Sequence, residues 1–262
     1  VVEAKERIYG REHPETLDSA NGLANLLSVL GRYDEAEAIF LRTLGGLRVS
    51  LGENHPKTIS CMNSLGRVYL RQRRYAEAEP LLVDALARTR ARFGELDERT
   101  STGMGSLAQL YEAQHRFDEA EPLAVRVAEI VAALFGENSV KSLVARNNLA
   151  QVYQRQGKLE LAEPMQASVI ATARTALPEG HWHLGTYLLS YGIILRKMER
   201  YAECEPVLLE AHAVLLAALG PDHNRTRSAA DQTAKLYEAW GREEDAAGWW
   251  VKSGGKPETE PG

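Results

Sequence analysis

The sequence predicts an all-α fold, a solenoid of antiparallel helix pairs, and three observations predict it. A glycine preceded by a bulky apolar residue recurs every 42 residues, as Tyr9-Gly10, Leu51-Gly52, Phe93-Gly94, Phe135-Gly136 and Leu219-Gly220, with Leu177-Pro178 in the one irregular slot. Self-similarity at such a period marks stacked repeats. Two columns of small residues keep the same period: Ala24, Gly66, Ala108, Ala150, Gly192, Ala234, and Ala36, Ala78, Ala120, Ala162, Cys204, Ala246. Antiparallel helices need small side chains where they approach most closely. No run of alternating β-branched residues competes with the helical pattern.

Each unit opens with a helix whose apolar stripe is legible. Leu23, Leu65, Leu107, Leu149 and Tyr191 precede the first small column. Tyr69, Tyr111, Tyr153 and Tyr237 follow it three positions later, with Leu27 and Leu195 as substitutes, and this spacing is one helix face. The second helix carries its own stripe, for example Ala78, Leu81, Leu82, Ala85 and Leu86. Short turns join the two, such as Gly31-Arg32-Tyr33, where glycine suits a left-handed helix end. Between units lies a loop of the form seen from Leu51 to Thr58, and its proline suits the first turn of the next helix. The expected boundaries are 1–8 for the end of a truncated helix, since Val1 aligns with Ala85, then six units over 9–252 (9–50, 51–92, 93–134, 135–176, 177–218 and 219–252). The Gly-, Pro- and Glu-rich residues 253–262 are expected to be a disordered tail. Gly248-Trp249-Trp250-Val251 reads as an apolar cap on the last unit.

The pattern Leu-(Ala/Gly)-x-x-Tyr followed by Ala-x-x-x-Phe (Ala36, Phe40) resembles the tetratricopeptide repeat. The long period, the loop at Leu51 to Thr58 and the Glu-Ala-Glu-Pro-Leu segment at Glu77 to Leu81 are similar to the repeats of kinesin light chains and their bacterial relatives. The resemblance implies a right-handed superhelix whose first helices line a concave face.

Composition bounds the function. The chain has 262 residues, 44% of them hydrophobic, and a net charge of −5, which disfavours nucleic acid or an anionic membrane as partner. No stretch approaches the roughly 18 apolar residues of a membrane span. Only two cysteines occur, Cys61 and Cys204, in distant units, so they are expected to be small buried residues in a reducing, cytoplasmic setting.

Catalytic and metal chemistry find little support. His13, His55, His181 and His223 share one loop column, one repeat apart, whereas the ligands of one ion must converge on it. They are expected to cap and pack loops. Glu37, Glu79, Glu121, Glu163 and Glu205 are likewise one repeat apart, and each is expected in the first turn of its helix, offsetting the dipole. Prolines 80, 122, 164 and 206 are expected in or just beyond that turn, bending the helices slightly. No phosphate loop, nucleophile elbow or paired-cysteine motif appears. The expectation is a non-enzyme with no metal and no cofactor.

The resemblance places positions two, five, nine, twelve and thirteen of each first helix on the concave face. The candidate site residues are Asn21, Asn25, Asn63, Arg67, Arg71, Gln109, Asn147, Gln151, Arg155, Arg196 and Lys197. An amide offers donor and acceptor together, as an extended peptide backbone does. Asn63 and Asn147 match the family's backbone-gripping asparagine, while Gly105 and Leu189 break that column. Over units two to five the groove positions hold five cations against Glu112, a net of +4. An extended acidic peptide is therefore the expected partner of a monomeric chain. The alternative is a scaffold or self-associating sensor array with an empty groove. Nucleic acid would need stacking aromatics that these positions lack.

Overall fold

The computed structural model describes residues 1–255, and they form helices joined by short loops. Two compact units share the chain, Val1–Leu134 and the residues from Phe135 onward. The first holds α1 (Val2–Tyr9), α2 (Pro14–Val29), α3 (Tyr33–Leu51), α4 (Pro56–Arg71), α5 (Tyr75–Phe93), α6 (Glu98–Ala113) and α7 (Phe117–Phe135). The second holds α8 (Val140–Arg155), α9 (Leu159–Ala176), α10 (Trp182–Lys197), α11 (Tyr201–Leu219), α12 (Asn224–Ala239) and α13 (Glu243–Ser253). From α2 onward, the even-numbered helices (A) and the odd-numbered helices (B) each begin 42 residues apart. The fold is all-α, built from helix pairs.

The periodic glycine has a backbone reason. Gly52 closes α3 at φ 85°, ψ 164°, a region that only glycine enters freely, and Gly94 and Gly220 do the same after α5 and α11. The irregular slot solves the problem differently: Leu177 stays extended at φ −98°, ψ 149°, which suits the proline after it. After each loop the next A helix is capped. The Nδ1 atoms of His13, His55, His181 and His223 accept backbone N–H bonds at 3.1–3.2 Å, as the Asp97 carboxylate does at 2.8 Å in the same column. These histidines are N-caps.

A helices end in a turn whose left-handed residue is glycine at Gly31, Gly157 and Gly241. Arg73, His115 and Glu199 adopt the same conformation at φ near 60°, at a steric cost of roughly 1–2 kcal/mol each.

Packing follows the small columns. Ala24, Ala36, Ala78, Ala120, Ala150, Ala162, Cys204 and Ala234 are fully buried. Within each unit consecutive A helices touch, α2 with α4 and α4 with α6, then α8 with α10 and α10 with α12. Among the described residues no pair of B helices is in comparable contact. A stack whose helices are closer on one side curves toward that side, so A helices line the inner wall of each unit.

The glutamate column differs from its expected place. Glu37, Glu79, Glu163 and Glu205 sit in the second turn of their helices, and each accepts from the arginine that precedes the next B helix. Arg74 reaches Glu37 at 2.7 Å, Arg116 reaches Glu79 at 2.7 Å, Arg200 reaches Glu163 at 3.3 Å and Arg242 reaches Glu205 at 2.9 Å. The guanidinium also lies over the tyrosine of its own repeat: Arg74 over Tyr69 at 4.3 Å, Arg116 over Tyr111 at 4.2 Å, Arg242 over Tyr237 at 4.6 Å. This ladder ties repeat to repeat. The prolines lie just beyond the first turn, as expected, within the helices at Pro80, Pro122, Pro164 and Pro206.

At the last pair Trp250 is buried and donates from Nε1 to Glu238 at 3.0 Å, while Trp249 meets the His212 ring edge-on at 4.9 Å. Ser253 ends α13 rather than starting a tail, followed by Gly254 in a left-handed cap. The rest of the expected tail, 256–262, lies outside the described residues.

Candidate functional site

The first unit carries a cleft of about 320 Å³ on its A-helix side. Its floor is apolar, from Leu47, Ile59, Ala85 and Phe93, and its walls are Asp18, Asn21, Lys57, Asn63, Arg99 and Thr102. Gly103 and Ala85 also line it, and a Cβ at Gly103 would lie 3.2 Å from Leu86 Cδ1. The Oδ1 atoms of Asn21 and Asn63 are buried with no hydrogen-bond partner. Leaving such an acceptor unmet costs about 1–3 kcal/mol. Arg99 stacks over the Phe93 ring at 3.9 Å, and Lys57 stands 3.4 Å from Asp18.

Arg67 and Arg71 lie outside the cleft lining, further along α4, and are exposed. Among the described residues neither makes an ion pair or a side-chain hydrogen bond. Partial desolvation, and after it the charge of Arg71, lowers the Arg67 pKa. Gln109 is exposed on α6.

The second unit carries a cleft of about 380 Å³ crossing α8, α10 and α12. Gln151, Arg155, Thr186, Ser190, Arg225 and Ser228 are among its walls, over Leu189, Ile193 and Ile194. The two residues that break the expected amide columns, Leu189 and Ile193, are therefore its apolar floor. Arg225 is held over the Trp182 ring at 4.3 Å. Beside the cleft, Lys197 donates to the Gln154 carbonyl at 3.3 Å and Arg196 to Gln232 at 3.2 Å. Burial, then the charges of Arg196 and Arg155, lower the Lys197 pKa.

Three expected amides are otherwise engaged, among them Gln151, whose Nε2 donates to Ser190 Oγ at 3.3 Å. Asn147 is only 4% exposed, and its Oδ1 accepts from Gln166 Nε2 at 3.0 Å. Gln166 is itself fully buried and also donates to the Tyr187 carbonyl at 2.8 Å. It occupies the column of Phe40, Leu82 and Leu208, so a polar amide stands in the core and Asn147 serves it there. Asn147 is thus buried in the core, with its oxygen already bonded. Asn25 pins α2 to α4: its Nδ2 donates to the Asn21 carbonyl at 2.9 Å, and its Oδ1 accepts from Ser64 at 3.2 Å.

Sequence reasoning missed Lys57, Arg99 and Arg225. A signal existed: these three share one column, the second residue of each A helix, where Lys141 and His183 also stand. The ladder arginines Arg74, Arg116, Arg200 and Arg242 were equally periodic.

Comparison with known proteins agrees with this geometry. The tetratricopeptide repeat model matches residues 15–91, 99–175 and 184–249. A Podosopora anserina protein described as a kinesin light chain with nearly identical TPR-like repeats superposes with a TM-score of 0.68 at 21% identity, over 78% of this chain and 97% of that one. BtubC (BKLC) from P. vanneervenii superposes at 0.69 with 21% identity, over 85% and 90%. A Rap protein complexed with competence and sporulation factor does so at 0.62 with 12% identity, over 91% and 75%. No curated protein sequence matches significantly. No helix among the described residues is long and apolar enough to cross a membrane. With its 42-residue helix pairs, small-residue joints and a family model that spans most of its length, the chain belongs to the tetratricopeptide repeat family, whose members are protein-interaction modules.

Proposed function

We propose that this chain is a non-catalytic module that binds an extended acidic segment of a partner protein on its A-helix faces. The carrying observation is the pair of buried, unpartnered amide oxygens, Asn21 Oδ1 and Asn63 Oδ1, beside a cleft with an apolar floor. One repeat apart, they suit N–H groups a few residues apart on an extended backbone, while the floor takes one apolar side chain. The cations set the sign of the ligand. Arg74, Arg88, Arg116, Arg126, Arg200 and Arg242 all meet carboxylates of this chain, whereas Arg67, Arg71, Arg196 and Lys197 meet none among the described residues. Concave cations without internal counter-charges favour an anionic partner. The Rap protein complexed with competence and sporulation factor is a precedent for ligand capture by this fold.

Exposed ion pairs contribute about 0.2–1 kcal/mol each, and an amide hydrogen bond about 0.5–1.5 kcal/mol. With one seated apolar side chain, such contacts support roughly micromolar affinity. The partner meets a monomeric chain in a reducing compartment, where the two buried free thiols stay unpaired. Fluorescence anisotropy with acidic peptides tests the reading. Affinity should fall with salt, with Asn63→Ala, and with Arg67→Glu combined with Arg71→Glu. Binding indifferent to all three changes defeats it. A concentration-dependent dimer that ignores peptide favours the scaffold reading instead.

A further inference from the structure

In the first unit the polar groups of the A-helix face are concentrated on one helix. Asn63, Arg67 and Arg71 stand four residues apart on α4, so they form one strip along it. At the levels of Arg67 and Arg71, α2 presents Asn25 and Val29, and α6 presents Gln109 and Ala113. Asn25 is taken up by Asn21 and Ser64, and Val29 is 84% exposed. A segment crossing the three helices at either level meets one cation. A segment lying along α4 meets both. Partial desolvation, then the charge of Arg71, lowers the Arg67 pKa, so the two heads sense each other, and neither meets a carboxylate among the described residues. Like charges one turn apart destabilise a helix, and an anionic segment over both relieves that.

Two repeat lengths decide how a ligand can follow this strip. Four residues of helix rise about 6 Å, and two residues of an extended chain advance about 6.6 Å. From Asn63 to Arg71 the two drift apart by only about 1 Å, which a flexible arginine absorbs. Side chains of an extended segment alternate between its faces, so every second one turns toward α4. Beside Asn63, α6 presents Gly105, where even a Cβ would meet nothing within 4 Å, so the backbone has room to turn there.

We propose that the acidic segment turns at Asn63 and runs along α4, placing two acidic side chains, two residues apart, on Arg67 and Arg71. The proposal rests on the reading that the A-helix face binds an acidic peptide, and it adds a direction and a spacing. With the residue at Asn63 as position zero, the acids stand at positions two and four. The intervening residues face away from α4 and are not selected. An apolar side chain next to position zero fills the cleft, whose lining includes Asn63 but neither arginine. Each guanidinium takes its carboxylate through two parallel bonds, which fixes the spacing more sharply than an ammonium would.

The test uses fluorescence anisotropy on the intact chain with neutral-host peptides that carry one leucine and two glutamates. Net charge is constant, and the glutamates are adjacent or two, three or four positions apart, on either side of the leucine. The expected result is about fivefold tighter binding for the set with glutamates two apart than for the adjacent and three-apart sets, the effect of one ion pair gained. Arg71→Gln should cancel the benefit of the outer glutamate and Arg67→Gln that of the inner one, with unchanged circular-dichroism melts. Asn63→Ala should weaken every set by the same factor. Salt-sensitive binding that ignores the spacing overturns the path along α4 and leaves the acidic-peptide reading standing. A loss on Gln109→Ala as large as that on Arg71→Gln places the segment across the helices and also overturns it. No binding by any peptide overturns both readings.

Discussion

The small-residue joint between the helices of a pair makes a sharp prediction at Gly66. A Cβ built there would lie 2.8 Å from both Cγ and Cδ2 of Leu82, which is fully buried. Gly66→Ala gains roughly 0.5–1 kcal/mol of helix propensity. It also overpacks a tight joint, at a cost of about 1–3 kcal/mol, because Leu82 has no free volume to retreat into. The expected net is a loss of about 1 kcal/mol. In the next pair the corresponding residues are Ala108 and Ala124, an alanine facing no leucine at that position. Leu82→Ala alone should cost about 2–5 kcal/mol through lost burial and a cavity. In that background Gly66→Ala should instead stabilise by about 1 kcal/mol, a coupling of about 2 kcal/mol between the two sites. Urea unfolding followed by circular dichroism, with amide exchange in α4 and α5 as a local readout, measures all four corners of the cycle. Gly192→Ala should cost more, since its Cβ would come within 2.6 Å of Leu208 Cγ. If Gly66→Ala stabilises equally with and without Leu82, the close approach does not explain the glycine.

Other outcomes follow from the same geometry. His55→Ala should cost about 1 kcal/mol by removing the N-cap of α4, and His55→Asp should not, since Asp97 does that work for α6; thermal melts decide between them. Asn147→Ala should destabilise the second unit by about 1–3 kcal/mol yet leave peptide affinity unchanged, whereas Asn63→Ala should do the reverse, read by paired melts and anisotropy titrations. Burial would raise the Glu37 pKa, but hydrogen bonds from Arg74 and Gln72 outweigh it and hold the value down. A folded-state pKa below the unfolded one contributes stability that is present above the usual carboxylate range and is lost as pH falls through the folded value. Glu37→Gln should therefore flatten the acid limb of a stability-against-pH curve below about pH 4.5.

Much of the fold was legible because its constraints are local and repeated. Gly52 needs a backbone angle that other residues avoid, and Ala36 and Ala78 need no more than a methyl where helices meet. Each such demand recurs at the same period, so repetition itself separates it from chance. The histidine column was readable as loop capping for the same reason. The ladder of Arg74 to Glu37 was half visible: the glutamates stood out, but their partners lie 37 residues downstream across the joint, and helix dipoles offered a nearer explanation.

The site was less legible because a column predicts a face, not what fills the neighbouring column. Asn63 and Asn147 hold equivalent positions, yet one Oδ1 is buried without a partner and the other serves the core. The difference lies in Leu82 against Gln166 on the adjoining B helix. An apolar residue there leaves the amide oxygen no internal donor. A glutamine there needs a partner, and the nearest amide turns inward. A repeat array can thus move a binding residue into the core, or back out, through a substitution on a different helix. The same logic makes Gln166→Leu informative. With the core column restored, Asn147 loses its internal donor, and peptide affinity should become sensitive to Asn147→Ala where it was indifferent before. If Asn147 stays silent in that background, the adjoining B-helix residue does not decide which amides face the ligand.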